Sequence, residues 1–372
     1  MAGIYIHIPF CRRACHYCDF HFTTNLKGTK ELTNSILTEV ELRKNYIRNE
    51  PIETIYFGGG TPSLLASELL FSIIDKIRKT FTVKADAEIT LEANPEDLSG
   101  QKLEALKAIG INRLSLGTQS FIDKELLWMN RMHTAKQAEE CIALAQHIGF
   151  SNISIDLIFG LPDQTEEDWK YNLKKAISLN IQHISSYALT VEGKTVLSNR
   201  IKKGEEKYPD ENSISKFFTM NMKFLLKHGF EHYEISNFAR SGFISKHNSS
   251  YWQNAKYLGL GPSAHSFNGI SRQWNIRSNA AYISALKNKK PFFEKEELSI
   301  NDRLNEHILT GLRTKWGVKR TVLESIEKGG WKQMLQQLNK EEEPLISRTK
   351  NALTLTDSGK LMADRLSSDL FF

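Results

Sequence analysis

The chain has 372 residues, of which 40% are hydrophobic and 25% charged, and its formal net charge is +6. This length is enough for two or three domains with a large core, and the composition is that of a globular protein. No apolar run approaches the roughly 18 residues that span a bilayer, and the N-terminal segment lacks the basic and apolar regions of a signal peptide. We therefore expect a cytoplasmic protein whose four cysteines stay reduced, which excludes a disulfide framework.

The first half of the chain alternates short β-rich runs with stretches whose apolar residues have helical spacing. The β-rich runs cover residues 3–9, 52–60, 87–95, 111–119, 152–160 and 183–191. Strands that alternate with helices form a parallel sheet with right-handed crossovers, and the chemistry of such folds lies at the carboxyl ends of the strands. Six such units are fewer than the eight of a closed barrel. The pattern therefore predicts an α/β fold built on an open, partial (β/α)6 barrel.

From about residue 202, the chain no longer alternates strands with helices. We predict a solvated loop at 202–213, a helix at 214–227, a glycine-rich aromatic segment to about 267 and a linker at 286–298. Further helices are predicted at 301–315, 319–327 and 331–339. A hairpin at 344–356 and a last helix capped by Thr356 or Asp357 end the chain. Helices followed by a hairpin indicate a winged-helix-like module. The chain is accordingly divided into a core at 1–200, an extension at 201–290 and a C-terminal module at 291–372. Acidic stretches dilute the positive charge of this module, so we do not expect it to bind nucleic acid.

Three of the four cysteines lie in "FCRRACHYCDF" (10–20), on the loop after the first strand. Cys11, Cys15 and Cys18 form C-x3-C-x2-C. A structural zinc site needs four ligands, and His21 would complete such a set. A [4Fe–4S] cluster held by three thiolates instead leaves one iron free for another ligand. The fourth cysteine, Cys141, lies in a helical stretch and is interpreted as a core residue.

The cysteine spacing, with Tyr17 just before the last cysteine, resembles the signature of the radical S-adenosylmethionine (SAM) enzymes. In that family the open iron binds the amino and carboxylate groups of SAM, so the resemblance implies that the cofactor replaces the missing fourth cysteine. "FGGGTPS" (57–63) by itself fits either a close approach of backbone to a ligand or a tight turn with Thr61 or Ser63 as helix cap. The resemblance implies that this glycine run contacts the methionine end of SAM.

Polar residues also stand at other strand ends, namely Glu92, Gln119 and Asp156, and Arg131 lies in the segment after the fourth strand. A carboxyl group at the end of a buried strand is costly unless it is paired, so a cationic ammonium or a ribose hydroxyl is a reasonable partner. The alternative for each residue is an ordinary cap or a hydrogen bond at the strand end. As a set, they predict a site at the carboxyl ends of the strands.

A wider set of motifs resembles the oxygen-independent coproporphyrinogen III dehydrogenase group, and within it the heme chaperone branch. The motifs are "YIHIPFC", "CHYCDF", "YFGGGTPS", "EANPE", "LGTQSF", "NRMH", "IDLIFGLP" and "HNSSYW". The resemblance implies that Tyr5, Gly59 and Glu92 contact the SAM at the cluster. It also places Tyr17, Gly60, Thr61, Gln119, Arg131 and Asp156 at positions that contact a second SAM in the dehydrogenase.

Two departures from the dehydrogenase concern the N-terminal segment. The dehydrogenase has a further cysteine two residues after the third, where this chain has Phe20, and a longer segment before the cluster. "HNSSYW" (247–252) is the positive sign of the chaperone branch, because imidazole is a common axial ligand of heme iron and aromatic side chains line porphyrin faces. We therefore predict His247 as the axial ligand, with His232 and His265 as the next candidates. The alternative is a polar turn that leads into a core Tyr-Trp pair.

The leading functional hypothesis is a protein that binds heme and passes it to acceptor hemoproteins, with the cluster and SAM in an assisting or regulatory role. The second is catalytic, namely reductive cleavage of SAM to a radical that abstracts hydrogen from a porphyrinogen propionate. The third is a zinc-binding nucleic-acid module. The resemblance implies [4Fe–4S], SAM and heme as cofactors, hemoproteins (membrane-bound respiratory proteins among them) as partners, an electron donor where SAM is cleaved, a homodimer, and transient contact with the membrane.

Overall fold

The computed structural model describes residues 2–372. The strands are β1 Ala2–Ile8, β2 Ile52–Gly59, β3 Val83–Ala93, β4 Arg113–Gln119, β5 Ile153–Phe159, β6 His183–Ala188, β7 Glu231–Glu234, β8 Asn237–Ala239, β9 Lys256–Leu260, β10 His265–Phe267, β11 Ser271–Asn275, β12 Phe293–Glu297, β13 Val318–Lys319, β14 Ile346–Arg348 and β15 Ala352–Leu355. The helices are α1 Thr29–Leu42, α2 Ser67–Thr80, α3 Gly100–Ala108, α4 Asp123–Trp128, α5 Ala135–His147, α6 Glu166–Ser178, α7 Val196–Lys202, α8 Glu211–Lys227, α9 Lys246–Trp252, α10 Asn279–Lys287, α11 Ile300–Leu312, α12 Arg320–Ile326, α13 Gly330–Gln337, α14 Asp357–Lys360 and α15 Ala363–Asp369.

One large sheet organises the chain, in the order β12-β11-β10-β9-β1-β2-β3-β4-β5-β6-β8-β7. The run from β1 to β6 is parallel throughout, as the alternation of strands and helices predicts. β9 adds a further parallel strand beside β1, although it comes from the extension. The remaining strands extend both edges in antiparallel fashion. The predicted α/β fold with a large parallel sheet is confirmed.

The strands of the parallel region separate an apolar face from a polar face. In β1, Ile4, Ile6 and Ile8 are fully buried in the main hydrophobic core, together with Leu32 and Ile36 of α1. Successive residues of a strand point to opposite faces, so the residues between them, Tyr5 and His7, lie on the other side. We call this side the inner face. Helix α1 therefore covers one side of β1, and polar side chains point to the other.

The chain from residue 300 onwards builds a second hydrophobic core around α11, α13 and a three-stranded sheet in the order β13-β15-β14. Three helices with a hairpin match the predicted winged-helix-like arrangement. Helix α14 begins after Thr356, whose hydroxyl accepts a hydrogen bond from the backbone N–H of Gly359 at 3.3 Å, and α15 follows it. Across residues 2–372, no helix combines the length and the apolar character that crossing a membrane requires.

The predicted linker at 286–298 is wrong. α10 continues to Lys287, and residues 293–297 form β12, which pairs with β11 at the edge of the large sheet. This strand is mostly exposed and alternates Phe and Lys with glutamates. An edge strand without a buried face carries few apolar residues, which is why its sequence resembles a solvated loop.

Candidate functional site

The three clustered cysteines lie on the loop that follows β1, at the carboxyl end of the sheet. The loop is held in place by backbone hydrogen bonds, among them Cys11 N–H to the carbonyl of Thr23 at 3.0 Å. Two side chains donate to the sulfur atoms: Thr61 Oγ1 lies 3.5 Å from Cys11 Sγ, and Arg131 Nη1 lies 3.3 Å from Cys15 Sγ. Burial raises the pKa of Cys11 to about 11 and that of Cys18 to about 12. These thiols therefore need a metal to become thiolates at neutral pH.

The donor set fits an iron–sulfur cluster. Within the described residues, no three His, Cys, Asp or Glu side chains converge as the ligands of one metal ion would. A cubane does not require such convergence, because each thiolate binds a different iron. The fourth zinc ligand that the sequence offered, His21, has its Nε2 atom 2.8 Å from Asn279 Oδ1. Cys141 is buried in the main core, as predicted, far along the chain from the cysteine loop.

The glycine run follows β2 and lies against the start of the cysteine loop. Gly59 has a φ of +108°, and a Cβ atom there would lie 2.6 Å from the imidazole of His7. At Gly60 a Cβ atom would lie 2.7 Å from the carbonyl oxygen of Phe10. Thr61 makes no capping hydrogen bond to the short turn that follows it, and its hydroxyl donates to Cys11 instead. The glycines thus allow β2 and the cysteine loop to approach closely, and they leave backbone rather than side chains around the site.

Glu92, at the end of β3, is joined to the glycine run. Its Oε2 atom accepts a hydrogen bond from Gly59 N–H at 3.1 Å, and its Oε1 atom accepts one from the hydroxyl of Tyr56 at 2.7 Å. Burial raises the pKa of Glu92 to about 7, against the lowering effect of the Tyr56 hydrogen bond. Tyr5 stacks on Tyr56 with ring centroids 6.1 Å apart. Tyr5, Gly59 and Glu92, which were predicted to share one ligand, therefore meet through direct contacts or through Tyr56.

The residues predicted to contact a second SAM meet around Arg131. Its guanidinium donates to Cys15, to Asn94 and, at 2.7 Å, to the carbonyl of Gly117. Asn94 in turn donates to Thr61 Oγ1 at 3.2 Å. The charge of Arg131 also acts on Asp156 and Tyr17, two further residues of this predicted set. Burial raises the pKa of Asp156 to about 6 and the pKa of Tyr17 above its ordinary value, and the positive charge of Arg131 lowers both. These contacts link Arg131 to Cys15 of the cysteine loop, to Asn94 and, through Asn94, to Thr61.

Gln119 completes this group at the end of β4. It is buried and has a φ of +65°, in the left-handed region that side chains other than glycine seldom adopt. Its amide nitrogen lies close to Gly117, where a Cβ atom would be 3.0 Å from it. Strained backbone of this kind accumulates at ligand sites. The geometry therefore places Gln119 beside Arg131 and Asn94.

Three residues of the site are absent from the sequence-based predictions, namely Tyr56, Asn94 and Arg113. Tyr56 and Asn94 lie within two residues of the predicted Gly58–Gly60 run and Glu92, so strand alternation offered a signal. Arg113 is 1% exposed, and its Nε and Nη1 atoms have no hydrogen-bond partner among the described residues. Its charge acts on Glu92 and Asp156. Nothing in the sequence around Arg113 distinguishes it from a surface arginine.

His247, the predicted heme ligand, lies in α9 beneath the inner face of β1 and β2. It is 1% exposed and stacks on Tyr56 with ring centroids 4.9 Å apart. Its Nδ1 atom is 2.7 Å from Thr54 Oγ1, and its Nε2 atom is 2.7 Å from the hydroxyl of Tyr251. Burial lowers the pKa of His247 to about 3. Neither ring nitrogen is free to bind iron in this arrangement, so ligation by His247 would require α9 to move.

Known proteins that resemble this chain belong to the superfamily that the cysteine spacing indicates. The profile of the radical SAM superfamily matches residues 5–176, which include the cysteine loop, the glycine run and Arg131. The heme chaperone HemW of Bacillus subtilis is 37% identical over 373 residues, covering 98% of both chains. The heme chaperone HemW of Mycobacterium tuberculosis is 32% identical and covers 97% of this chain and 93% of its own. The chain therefore belongs to the HemW family of the radical SAM superfamily.

A solved structure gives the same fold. Coproporphyrinogen III oxidase (HemN) from Escherichia coli, described as a radical SAM enzyme, matches with a TM-score of 0.86 and 22% identity, covering 100% of this chain and 90% of that chain. At this identity the likeness concerns the fold alone. The predicted resemblance to the superfamily and to its heme chaperone branch is confirmed by the relatives.

Proposed function

We propose that this protein binds heme and transfers it to acceptor hemoproteins. The observation that carries the proposal is the similarity to curated heme chaperones over nearly the full length of both chains. The cysteine loop, the glycine run and Glu92 support a resident cluster with SAM beside it. The acceptor, an electron donor and a homodimer belong to the same proposal, with membrane-bound hemoproteins as one class of acceptor.

The cysteine loop would hold the resident cofactor. Cys11, Cys15 and Cys18 would bind three irons of a [4Fe–4S] cluster, and together with SAM such a cluster supplies one-electron chemistry. The chain's own part is to place donors around the sulfur atoms. Hydrogen bonds to cluster sulfurs raise the reduction potential, and the hydroxyl of Thr61 and the guanidinium of Arg131 already point at Cys11 and Cys15.

Glu92 would bind the cationic part of SAM. Its carboxylate accepts a hydrogen bond from the backbone N–H of Gly59 in the glycine run, and the charge of Arg113 favours its ionised form. The sulfonium group of SAM would supply the positive charge that a buried carboxylate needs. On the other side of the cysteine loop, Tyr17 packs against an apolar cluster that includes Leu126, Met129 and Leu197. This packing excludes water from one side of the cysteines.

The experiment is anaerobic purification and reconstitution, followed by titration with hemin and by mixing with an apo-hemoprotein. A heme chaperone should gain a Soret band and then lose it as the acceptor becomes loaded. The same samples, incubated with SAM, a reductant and coproporphyrinogen III, test the catalytic hypothesis by chromatography of the porphyrins. A protein that neither binds hemin nor loads the acceptor would refute the proposal.

A further inference from the structure

The histidines of the chain differ in whether their ring nitrogens are available. Of the eleven histidines, all but two have a ring nitrogen in a hydrogen bond. The exceptions among the described residues are His147 and His265, and both are exposed. A metal ligand must present a free nitrogen lone pair. These two are therefore the histidines with both ring nitrogens free, so an iron atom can bind either nitrogen without breaking an existing contact.

His265 stands on the face of the sheet opposite to the one that packs against Arg43. In β10 and β11, the pair Ser266 and Gln273 faces the buried side, where both accept from Arg43. The neighbouring pair, His265 and Trp274, faces the other way and is more exposed. The two rings lie 6.4 Å apart at a tilt of 31°. An imidazole beside a half-buried indole is a combination that suits a flat aromatic ligand.

This face continues into the mouth of the cofactor site. The charges of His21, His265 and Arg277 each act on the pKa of His7, which burial lowers to about 4. His7 itself lies against Gly59, whose Cβ atom would touch its ring. The free imidazole of His265 is thus a near neighbour of the inner face, on the side of the glycine run.

The end of the cysteine loop closes the same region. The Nη2 atom of Arg277 lies 3.4 Å from the carbonyl oxygen of Asp19, so the loop abuts the extension at this point. The next residue, Phe20, is 69% exposed. Arg277 is exposed as well and has no acidic partner among the described residues. His21, the residue after Phe20, stacks on His7 with ring centroids 5.8 Å apart, and the charges of Arg277 and His265 act on the same ring. An apolar ring, an unpaired cation and a free histidine grouped around His7 offer partners for the three parts of heme, namely its macrocycle, its propionates and its iron.

The HNSSYW segment lies beneath this surface. Tyr251 makes an edge contact with Tyr257 at 4.6 Å between ring centroids, and Tyr257 is 6.4 Å from Phe267 in the same strand as His265. The nitrogens of His247 are occupied by Thr54 and Tyr251. The segment therefore supports the strands that carry His265 through a ladder of aromatic rings.

We propose that His265 is the axial ligand of heme iron, on a surface site formed with Trp274, Phe20 and Arg277 at the mouth of the cofactor site. This inference rests on the proposed heme binding and assigns its location. An exposed single ligand suits a protein that must release heme, because the acceptor reaches the iron without unfolding the donor. Burial and the charge of Arg272 lower the pKa of His265, which keeps its imidazole in the neutral form that binds iron.

The test is hemin titration of the reconstituted protein and of the variants His265→Ala, His247→Ala, His147→Ala and Trp274→Ala. His147 is the matched control, because it is exposed and unpartnered but makes no ring contact within the described chain. We expect His265→Ala to weaken hemin binding at least about tenfold and to shift the Soret band, and we expect added imidazole to restore the band. Trp274→Ala should weaken binding without moving the band. His147→Ala should match the unmodified protein.

The outcomes separate the two proposals. If the unmodified protein binds hemin and His265→Ala has the same affinity and spectrum, the assignment of the site is overturned and heme binding stands. If only His247→Ala changes the Soret band, the iron binds in α9 and the assignment is again overturned. If the unmodified protein binds no hemin, the proposed function itself fails. Equal iron content in all variants shows that the changes are not due to misfolding.

Discussion

Glu92 is a buried carboxyl group whose charge depends on what lies beside it. Its pKa of about 7 means that it is partly protonated near neutral pH when no cation is bound. SAM brings a sulfonium group, whose positive charge favours the ionised carboxylate. We therefore expect the affinity for SAM to fall as the pH is lowered below 7, by up to about tenfold per pH unit. Equilibrium dialysis of the cluster-loaded protein from pH 5.5 to 8.5 measures this.

The control for this prediction is a pair of amide variants. Glu92→Gln should bind SAM weakly with no dependence on pH. Glu125→Gln should keep the dependence, because Glu125 is another buried glutamate with a raised pKa but bonds to Ser120, Gln164 and Asn172 instead. Without SAM, the pH dependence of the folding stability has the opposite sign to that of SAM affinity. The stabilisation that Glu92 gives the folded state is full below the pKa of about 4.5 that it has in the unfolded chain, and it is lost as the pH rises through about 7. A pH-independent affinity in the unmodified protein would contradict the role of Glu92.

The cysteines give the second prediction at this scale. Replacing Cys11, Cys15 or Cys18 by serine should reduce the iron content of the reconstituted protein well below the about four irons of an intact cluster. Cys141→Ala should leave the iron content unchanged, because Cys141 is packed in the main core. Iron and sulfide assays with the absorption spectrum measure both. A colourless protein that holds one zinc would contradict the cluster.

The sequence identified the cysteines because their chemistry depends on spacing along a single loop. Tyr56, Asn94 and Arg113 were missed because their importance comes from neighbours on other strands. The register that pairs Tyr56 with Thr90, and Thr90 with Arg113, exists only once the sheet has formed. A one-dimensional pattern carries no information about such cross-strand neighbours unless the register is known.

At the scale of elements, α9 is the segment whose role the structure alters most. The sequence showed a histidine next to two aromatic residues and left a core turn as the alternative. The helix packs His247 against Tyr56 and uses both of its ring nitrogens inside the protein. β9, which follows directly, joins β1 as a parallel partner from more than 250 residues away. Local periodicity cannot reveal such a partner, whereas it does reveal β1 to β6, which come in order.

We predict that His247→Ala destabilises the fold. The change removes a buried ring and leaves the hydroxyls of Thr54 and Tyr251 without their partner, which should cost about 2–4 kcal/mol. The midpoint of urea unfolding measures this. His147→Ala should change the free energy of unfolding by less than about 0.5 kcal/mol, since His147 is exposed. An unchanged midpoint for His247→Ala would mean that α9 is not part of the stable core.

At the scale of the whole molecule, the two edges of the large sheet differ in how they are protected from pairing with other chains. β7 is covered by the C-terminal module through backbone hydrogen bonds, from Ile235 to Arg313 at 3.0 Å and from Lys315 to Tyr233 at 3.0 Å. β12 is left open and is rich in charge. Charged side chains on an edge strand oppose pairing with other chains. The module therefore completes the sheet at one edge, and charge protects the other.

The same fold serves proteins with different activities, and this leads to the last prediction. The solved structure of coproporphyrinogen III oxidase matches this chain along its whole length, but a shared fold does not carry a shared reaction. Where the dehydrogenase resemblance calls for a further cysteine, this chain has Phe20, whose ring is exposed on the cysteine loop. We therefore expect no measurable conversion of coproporphyrinogen III to protoporphyrinogen in anaerobic incubations with SAM and a reductant, as followed by chromatography of the porphyrins. A sample with full iron content must be used, so that inactivity cannot come from a lost cluster. Product formation in proportion to the protein would show that Phe20 does not prevent the reaction and would support the catalytic hypothesis.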